Sequence, residues 1–348
     1  MKIQESKKYI GIDLGDKTHE ICLLDSKGDV LARRKIANHR EALANLAKDY
    51  PLATCIMECG SHSPWISRYL ESLGMNVLVA NPRKLRAIYQ SERKSDVRDA
   101  EMLARIGRLD PKLLHPIKHG SEESQHDLLV IKMRDMIVRS RVGIVNAIRF
   151  TLKSMGYRVK NSDTRRFHKT VLEQIPTSCH VVIEPLLEVL AGMTEKIKQL
   201  DKQIKQLTEN KYPEAMRLQA ITGVGPVTSL YYVLKIEDPN RFSRVRDVGS
   251  YLGLVPRRDQ SGATDKQLRI SKAGDSYLRR LLVSAAQYIL GPFGKDSELR
   301  TYGLRLSERG GSRARKQAVV AVARKLAVLM ASLWKSGNEY QPQGVGCH

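Results

Sequence analysis

The fold is decided by three short apolar segments near the N-terminus: YIGIDL at residues 9–14, HEICLLD at 19–25 and DVLARRKI at 29–36. Polar turns separate them, and the turn SKGD at residues 26–29 is typical of a β-hairpin. Residues 53–58 and 75–80 have the composition of two further buried strands. The chain is therefore predicted to begin with an antiparallel meander and to continue with separate strands.

Helices are predicted between the later strands. Asn38 followed by Glu41 has the spacing of a capping box, so a helix is expected to begin there, and Ser63-Pro64 is a typical start for another. Three antiparallel strands followed by strands that alternate with helices predict a ribonuclease H-like α/β domain.

Beyond residue 96 the sequence predicts mainly helix. Apolar residues recur at alternating spacings of three and four, which predicts a coiled-coil seam formed by Ile183, Leu186, Leu190, Met193, Ile197, Leu200, Ile204 and Leu207. Pairing within the chain and pairing between chains both fit this pattern. The predicted organisation is a ribonuclease H-like domain at 1–155, a helical coiled-coil segment at 156–212, a mostly helical C-terminal domain at 213–335 and a polar tail at 336–348.

Charge and composition restrict the partners. Fifty-nine Lys and Arg against 37 Asp and Glu give a net charge of +22, so a polyanion is the expected partner. The most apolar long segment, 318–334, is interrupted by Arg324 and Lys325, and no membrane span is expected. Five scattered cysteines indicate a reducing compartment, and Cys55 and Cys59 are expected to be buried thiols rather than zinc ligands.

Four carboxylates are candidate metal ligands. Asp13 lies between glycines in the first strand, and Glu58 ends a strand that is adjacent to it in a ribonuclease H-like sheet. Asp96 and Asp99 are three residues apart on a predicted helix, so they share one face. Carboxylates brought together repel each other unless cations lie between them, which favours magnesium. Solvated surface acids are the alternative, and GIDLG alone also fits actin-like and sugar-kinase ATPases.

The C-terminal region carries two further candidate sites. Gly223 and Gly225 have the spacing of a helix-hairpin-helix turn, whose backbone N–H groups can bind a DNA phosphate. Ser261 precedes a glycine in a polar segment with Arg257 and Arg258, a setting that would neutralise an attacked phosphate. A tight interhelical turn and an ordinary loop serine are the alternatives.

The motifs occur in one order along the chain: GID at 11–13, MECG at 57–60, KSDVRDA at 94–100, GVGP at 223–226, GLVPRRDQSG at 253–262 and ISKAG at 270–274. Together they resemble the insertion-sequence transposases with a DEDD tetrad, the bridge-RNA-guided serine recombinases. That resemblance implies that the N-terminal domain is RuvC-like. It also implies a tetrad of Asp13, Glu58, Asp96 and Asp99 that binds Mg²⁺, as two ions per site, and Ser261 in the C-terminal domain as the nucleophile. It further implies that the acidic site and the serine come from different protomers.

The resulting functional expectation is a DNA transposase or recombinase that cuts and rejoins strands. The expected partners are double-stranded DNA at the element ends and target, a structured non-coding guide RNA, and further copies of the chain in a dimer or tetramer. A cytoplasmic, nucleoid-associated location is expected. A junction-resolving nuclease and a non-catalytic RNA- or DNA-binding architectural protein are the alternatives. Predicted nucleic-acid contacts are Gly223, Gly225, Arg257, Arg258, Lys272, Arg279, Arg313 and Arg315.

Overall fold

The computed structural model describes residues 7–88, 95–160, 162–261, 264–308 and 310–343. The chain divides into two compact units, Met1–Glu122 and Glu123–His348. These two units are defined by their internal contacts. The domain boundaries expected from the sequence were defined by function, and they remain predictions. Lys94, the first residue of one quoted motif, lies outside the described residues.

The N-terminal unit is a mixed α/β layer. Its strands and helices are β1 (Tyr9–Asp13), β2 (Thr18–Leu24), β3 (Val30–Ala37), α1 (Arg40–Asp49), β4 (Thr54–Glu58), α2 (Ser63–Ser72), β5 (Asn76–Ala80), α3 (Pro82–Ile88) and α4 (Asp96–Leu109). The sheet order is β3-β2-β1-β4-β5. Pairs β1–β2 and β2–β3 are antiparallel, and pairs β1–β4 and β4–β5 are parallel. This topology is compatible with the predicted ribonuclease H-like domain.

The two faces of the sheet are covered by different helices. Ile10 and Ile12 are fully buried on the face that packs against Leu43 and Leu46 of α1. On the other face, Cys22 of β2 is buried with Ala100 and Ala104 of α4. Ile21 and Leu23 of β2 pack in the first core, so alternating side chains of this strand belong to two separate cores, as expected for a sheet between layers of helices.

The start of α1 differs from the prediction. The N-cap is His39, whose Nδ1 accepts a hydrogen bond from the backbone N–H of Ala42 at 3.2 Å. Asn38 instead hydrogen-bonds His19 Nε2 at 3.1 Å and donates to the carbonyl of Asp16 at 2.9 Å. The asparagine is engaged by the preceding hairpin, so the neighbouring imidazole caps the helix.

The C-terminal unit is mostly helical. Its elements are α5 (Glu122–Ser154, whose first residue is the last of the N-terminal unit), α6 (Phe167–Thr170), α7 (His180–Asn210), α8 (Pro213–Leu218), α9 (Pro226–Ile236), α10 (Asp247–Tyr251), β6 (Pro256–Ser261), β7 (Thr264–Ile270), α11 (Ser276–Leu290), α12 (Glu298–Ser307) and α13 (Gly311–Ser336). Tyr231 and Tyr232 of α9 lie in its main core. Among the described residues, α13 alone is long and apolar enough to cross a membrane. Its Val322, Leu326 and Met330 are fully buried in that core, as in a core helix of a globular protein.

Helices α5 and α7 pair antiparallel to each other. Arg134 forms an ion pair with Asp201 at 2.5 Å, and Arg141, one heptad further along α5, donates to Thr194 Oγ1 at 3.2 Å. Arg141 is only 5% exposed. The predicted seam thus pairs at least in part within the chain.

The buried line of α7 only partly follows the predicted seam. Leu187 and Thr194 are buried, whereas Leu186 is 42% exposed and Met193 is partly exposed. An α-helix has 3.6 residues per turn rather than the 3.5 of a strict heptad, so the buried face drifts from one heptad to the next. The predicted residues Ile183, Leu190, Ile197 and Ile204 are all buried.

Candidate active site

Asp13 and Glu58 lie side by side at one edge of the sheet. Ile12 pairs with Met57 in the parallel β1–β4 ladder, so Asp13 and Glu58 follow at the next register position. Both carboxylates end their strands and are half-buried. The carboxyl edge of two adjacent parallel strands therefore presents two acids, as the sequence predicts.

The start of α4 lies over the same edge. Gly11 has no side chain, and the carbonyl oxygen of Ala100 is only 1.8 Å from where a Cβ on Gly11 would lie. The α4 backbone thus rests directly on β1, two residues before Asp13. At the other end of α4, Arg108 reaches the carbonyl of Ser26 in the β2–β3 turn. The helix consequently runs antiparallel to β1 and places its first turn at the carboxyl edge.

Asp96 and Asp99 occupy that first turn of α4. Asp96 is exposed, and Asp99 is half-buried. The fold thus brings all four predicted acids to one edge of one unit. In the described ranges, however, no three His, Cys, Asp or Glu side chains lie close enough to hold a metal ion. The four positions lie along one edge of the sheet, while their side chains are not arranged around a common point.

The donor set fits a hard cation. Carboxylate oxygens are the ligands preferred by Mg²⁺, and a charged cluster at a sheet edge would lose its mutual repulsion when an ion binds. Asp13 and Asp99 each make an interaction within the chain. Asp13, Glu58, Asp96 and Asp99 are the residues that would hold such an ion at this edge.

Two residues at this edge were missed by the sequence analysis. Glu20 pairs with Asp13 in the β1–β2 ladder, and Lys35 pairs with Glu20 in the β2–β3 ladder. Their side chains form an ion pair of 2.7 Å. Charged residues that alternate along a hairpin are typical of a solvated face, so only the ladder register could have identified them.

Ser261 ends β6 in a two-stranded hairpin. Its residue partner in β7 is Thr264, and its side chain is exposed. Arg257 and Arg258 lie on the same strand and are also exposed. Arg258 forms a long ion pair of 3.8 Å with Asp265 of β7. The serine hydroxyl is thus presented to solvent at the end of an arginine-bearing strand, where a nucleic-acid phosphate has access to it.

The predicted helix-hairpin-helix turn joins α8 to α9. Gly223 has a positive φ of 87°, and a Cβ there would lie 2.9 Å from the carbonyl of Ala285 in α11. Only glycine fits this turn without strain. Gly225 is the N-cap of α9, and a Cβ built on it meets nothing within 4 Å. The turn is packed against α11 at its first glycine and is open at its second.

The remaining predicted contacts fall into two groups. Arg313 and Arg315 are exposed in the first turn and a half of α13, and Lys272 is exposed in a loop with a left-handed backbone. Arg279 is half-buried, and its Nη1 donates to the backbone carbonyls of Leu252, Ala273 and Gly274. Arg313, Arg315 and Lys272 are therefore open to a ligand, whereas Arg279 also fastens the loop before α11.

Comparison with known proteins places these features in one class. A model described as "Transposase", for the DEDD transposases of the IS110 type, matches residues 10–156. A second model, described as "Transposase IS116/IS110/IS902 family", matches residues 215–303. The protein is accordingly a DNA transposase. It belongs to the IS110/IS116 family of insertion-sequence transposases.

Full-length relatives agree with this class. The transposase for insertion sequence element IS1111A of Coxiella burnetii is 25% identical over 96% of this chain and 91% of its own length. The transposase for IS1328 of Yersinia enterocolitica is 28% identical, covering 80% of this chain and 82% of its own. A pilin gene-inverting protein of Moraxella lacunata is 27% identical over 96% of this chain and 98% of its own.

Proposed function

We propose that this transposase cuts and rejoins DNA at the ends of an insertion sequence with two sets of residues. Asp13, Glu58, Asp96 and Asp99 hold divalent metal, and Ser261 attacks phosphorus. The observation that carries the first half is the seating of α4 on β1 at Gly11, which brings the first turn of α4 to the carboxyl edge where Asp13 and Glu58 end adjacent parallel strands. Magnesium bound there would position a phosphodiester and neutralise the charge that develops on it.

The proposed role of Ser261 rests on its exposure at the end of a strand that also carries two exposed arginines, Arg257 and Arg258. Attack by Oγ forms a serine–phosphate ester while the bond from phosphorus to one deoxyribose oxygen breaks, and the hydroxyl proton passes to a basic group or water. A deoxyribose hydroxyl of another strand then attacks the ester and releases the serine. The phosphodiester energy is conserved, so joining needs no nucleotide cofactor.

Rejoining distinguishes this proposal from a junction-resolving nuclease, which only hydrolyses. The relative named as a pilin gene-inverting protein supports rejoining, because inversion of a DNA segment requires that its ends be joined again. We further propose that a structured RNA guides the protein to double-stranded DNA and that protomers associate in the cytoplasm. Exposed basic residues such as Arg313 and Arg315 would contact phosphates of these nucleic acids.

The test is a recombination assay with purified protein, its candidate RNA and DNA that carries an element end and a target. Joined product that depends on divalent metal, and a protein–DNA adduct that resists denaturation, are the expected results. Cleaved but unjoined DNA without an adduct would favour the nuclease. Binding without any strand cleavage would favour the architectural protein.

A further inference from the structure

A transverse row of charged residues crosses four strands at the carboxyl edge of the sheet. Its members, in the order of the strands from β4 to β3, are Glu58, Asp13, Glu20 and Lys35. Residues that pair directly across a ladder point to the same face, so these four side chains share the face covered by α4. The row therefore has three acids and ends in one cation.

The Lys35 ammonium is both held and accessible. It lies 2.7 Å from Glu20 Oε1, yet its side chain is 60% exposed, while that of Glu20 is only 17% exposed. The hydrogen bond to Glu20 raises the pKa of Lys35, and the charge of Asp96 on α4 raises it further. Lys35 is therefore positively charged at neutral pH and lies close enough to Asp96, a predicted tetrad residue, to interact with its charge.

We propose that Lys35 binds the phosphate backbone of the DNA strand that enters the acidic site, and that Glu20 positions it. The inference rests on the proposed function of that site. An acidic edge repels a polyanion, and a cation fixed at the end of the row offers the strand a point of attachment beside the acids. A charge-assisted contact between ammonium and phosphate is among the stronger hydrogen bonds in proteins.

A purely structural role explains the pair less well. The Lys35 side chain is mostly in solvent, which screens its attraction to Glu20, so we expect the pair to contribute little to stability. One register row further in, Arg33 of β3 binds Glu101 of α4 at 2.7 Å, so an ion pair already joins β3 to the helix. Glu20 lies within the sheet beside Asp13, and pairing with Lys35 fixes the ammonium at the row of acids.

The experiment measures strand cleavage by the full-length protein with metal, RNA and an element-end duplex. In one series, a neutral methylphosphonate replaces each phosphate near the cleavage site in turn. Wild-type protein is expected to lose about tenfold in cleavage rate at low DNA concentration at one such position. Lys35→Met is expected to lose about tenfold on normal DNA and nothing more when that same phosphate is neutral. Lys35→Arg should restore the sensitivity.

Matched controls separate a contact from a general effect of charge. Lys27, an exposed lysine in the turn at the opposite end of the same hairpin, should give a Lys27→Met protein that keeps the wild-type sensitivity to the neutral phosphate. Glu20→Gln frees Lys35 and is expected to lower the rate severalfold while the sensitivity remains. Thermal unfolding of each variant shows whether the domain is intact.

The outcomes are distinguishable. If Lys35→Met and the neutral phosphate act additively at every position, Lys35 makes no such contact and the inference is wrong. If wild-type protein does not cleave, or if Asp13→Asn cleaves at the wild-type rate, the proposed acidic site itself is wrong. Loss of folding in Lys35→Met but not in Lys35→Gln would move the measurement to the latter variant, and loss in both would assign the pair a structural role.

Discussion

The carbonyl oxygen of Ala100 occupies the space where a side chain on Gly11 would begin. This contact seats α4 on β1 and so fixes the distance between Asp13 at the end of the strand and the two acids at the start of the helix. We expect Gly11→Ala to push α4 away, at a cost of about 2 kcal/mol in the free energy of unfolding, and to abolish cleavage. Gly60→Ala is the matched control, because a Cβ on Gly60 meets nothing within 4 Å. Urea unfolding and a cleavage assay would check both; equal stability of the two variants would contradict the packing argument.

Neutralising the acids should leave the protein folded but inactive. We expect Asp13→Asn or Asp99→Asn to lower the rate of DNA cleavage more than about 100-fold, since even residues behind metal ligands alter activity 10- to 100-fold. Asn has the size of Asp and keeps an oxygen that can accept hydrogen bonds, so we expect the fold to persist. Single-turnover cleavage with Mg²⁺, and after EDTA, provides the measurement. A fully active Asp99→Asn protein, or cleavage that persists in EDTA, would rule out the tetrad.

Ser261→Ala should bind DNA and RNA with wild-type affinity but form no covalent adduct. Only the hydroxyl is lost from an exposed strand end, so folding is unaffected. A suicide DNA substrate traps the adduct, and peptide mass spectrometry identifies the modified residue. Ser271→Ala is a control from the loop that follows β7, and it should react normally. An adduct on Ser271 or Tyr277 would transfer the nucleophile to that residue.

We predict that protomers meet through the exposed apolar face of the α5–α7 pair. Met133, Met136 and Met193 line a shallow cavity of about 310 Å³, and Met136 is 47% exposed. Exposed apolar patches on soluble proteins often mark contacts with another protein. Met136→Asp combined with Met193→Asp should lower the mass measured by light scattering and abolish recombination. Lys202→Asp, on the opposite side of α7 from Met193, should change neither property.

Substitutions at Ile197 and Ile204 are unsuitable tests of assembly, because both residues are buried. Ile197 is 4% exposed and Ile204 is fully buried. Changing either to Asp would bury an unpaired charge and unfold the domain, so loss of assembly would carry no information about the surface. An unchanged mass for the double methionine variant would show that the protomers meet elsewhere.

Stability should fall below neutral pH because of His19. Its side chain is fully buried, and its Nε2 contacts Asn38. Burial lowers the pKa of His19, the hydrogen bond to Asn38 partly opposes this, and the charge of His62 lowers it further. The unfolded chain therefore binds a proton at about pH 6.5 that the folded chain does not bind until lower pH. The contribution of neutral His19 to the free energy of unfolding should be fully present above about pH 6.5. It should decrease as the pH falls from there toward the lower pKa of the folded state. His19→Gln should flatten the slope relative to His126→Gln.

Much of the N-terminal unit could be predicted, because apolar segments identify the strands and the succession of strands and helices indicates their order in a ribonuclease H-like sheet. Asp13 and Glu58 were expected at one edge, since the first and fourth strands are neighbours in this topology. Glu20 and Lys35 were not expected, because their place depends on the ladder register of β2, which no residue pattern in the hairpin identifies. The cap of α1 was misassigned for a related reason, as Asn38 is drawn to His19, a residue distant in sequence.

The coiled-coil seam shows a different limit. Heptad spacing identified the buried residues Leu190 and Ile197, but Leu187 and Thr194 replace Leu186 and Met193 on the buried face. The pattern also left open whether α7 pairs within the chain or with another copy. That choice depends on the length and direction of α5, and these follow from tertiary packing rather than from spacing.

The buried guanidinium of Arg141 determines the register in which α5 and α7 pack against each other. Its neighbour across the pair is the hydroxyl of Thr194, one of the few polar side chains that α7 buries. Sliding α7 by one turn would place the cation against Leu190 or Lys198 and leave it without a hydrogen-bond partner on that helix. Apolar side chains pack almost equally well in several such registers. A buried cation is stable only in the register that gives it a hydrogen-bond partner. The hydrogen bond between Arg141 and Thr194 can therefore form in only one register of the two helices.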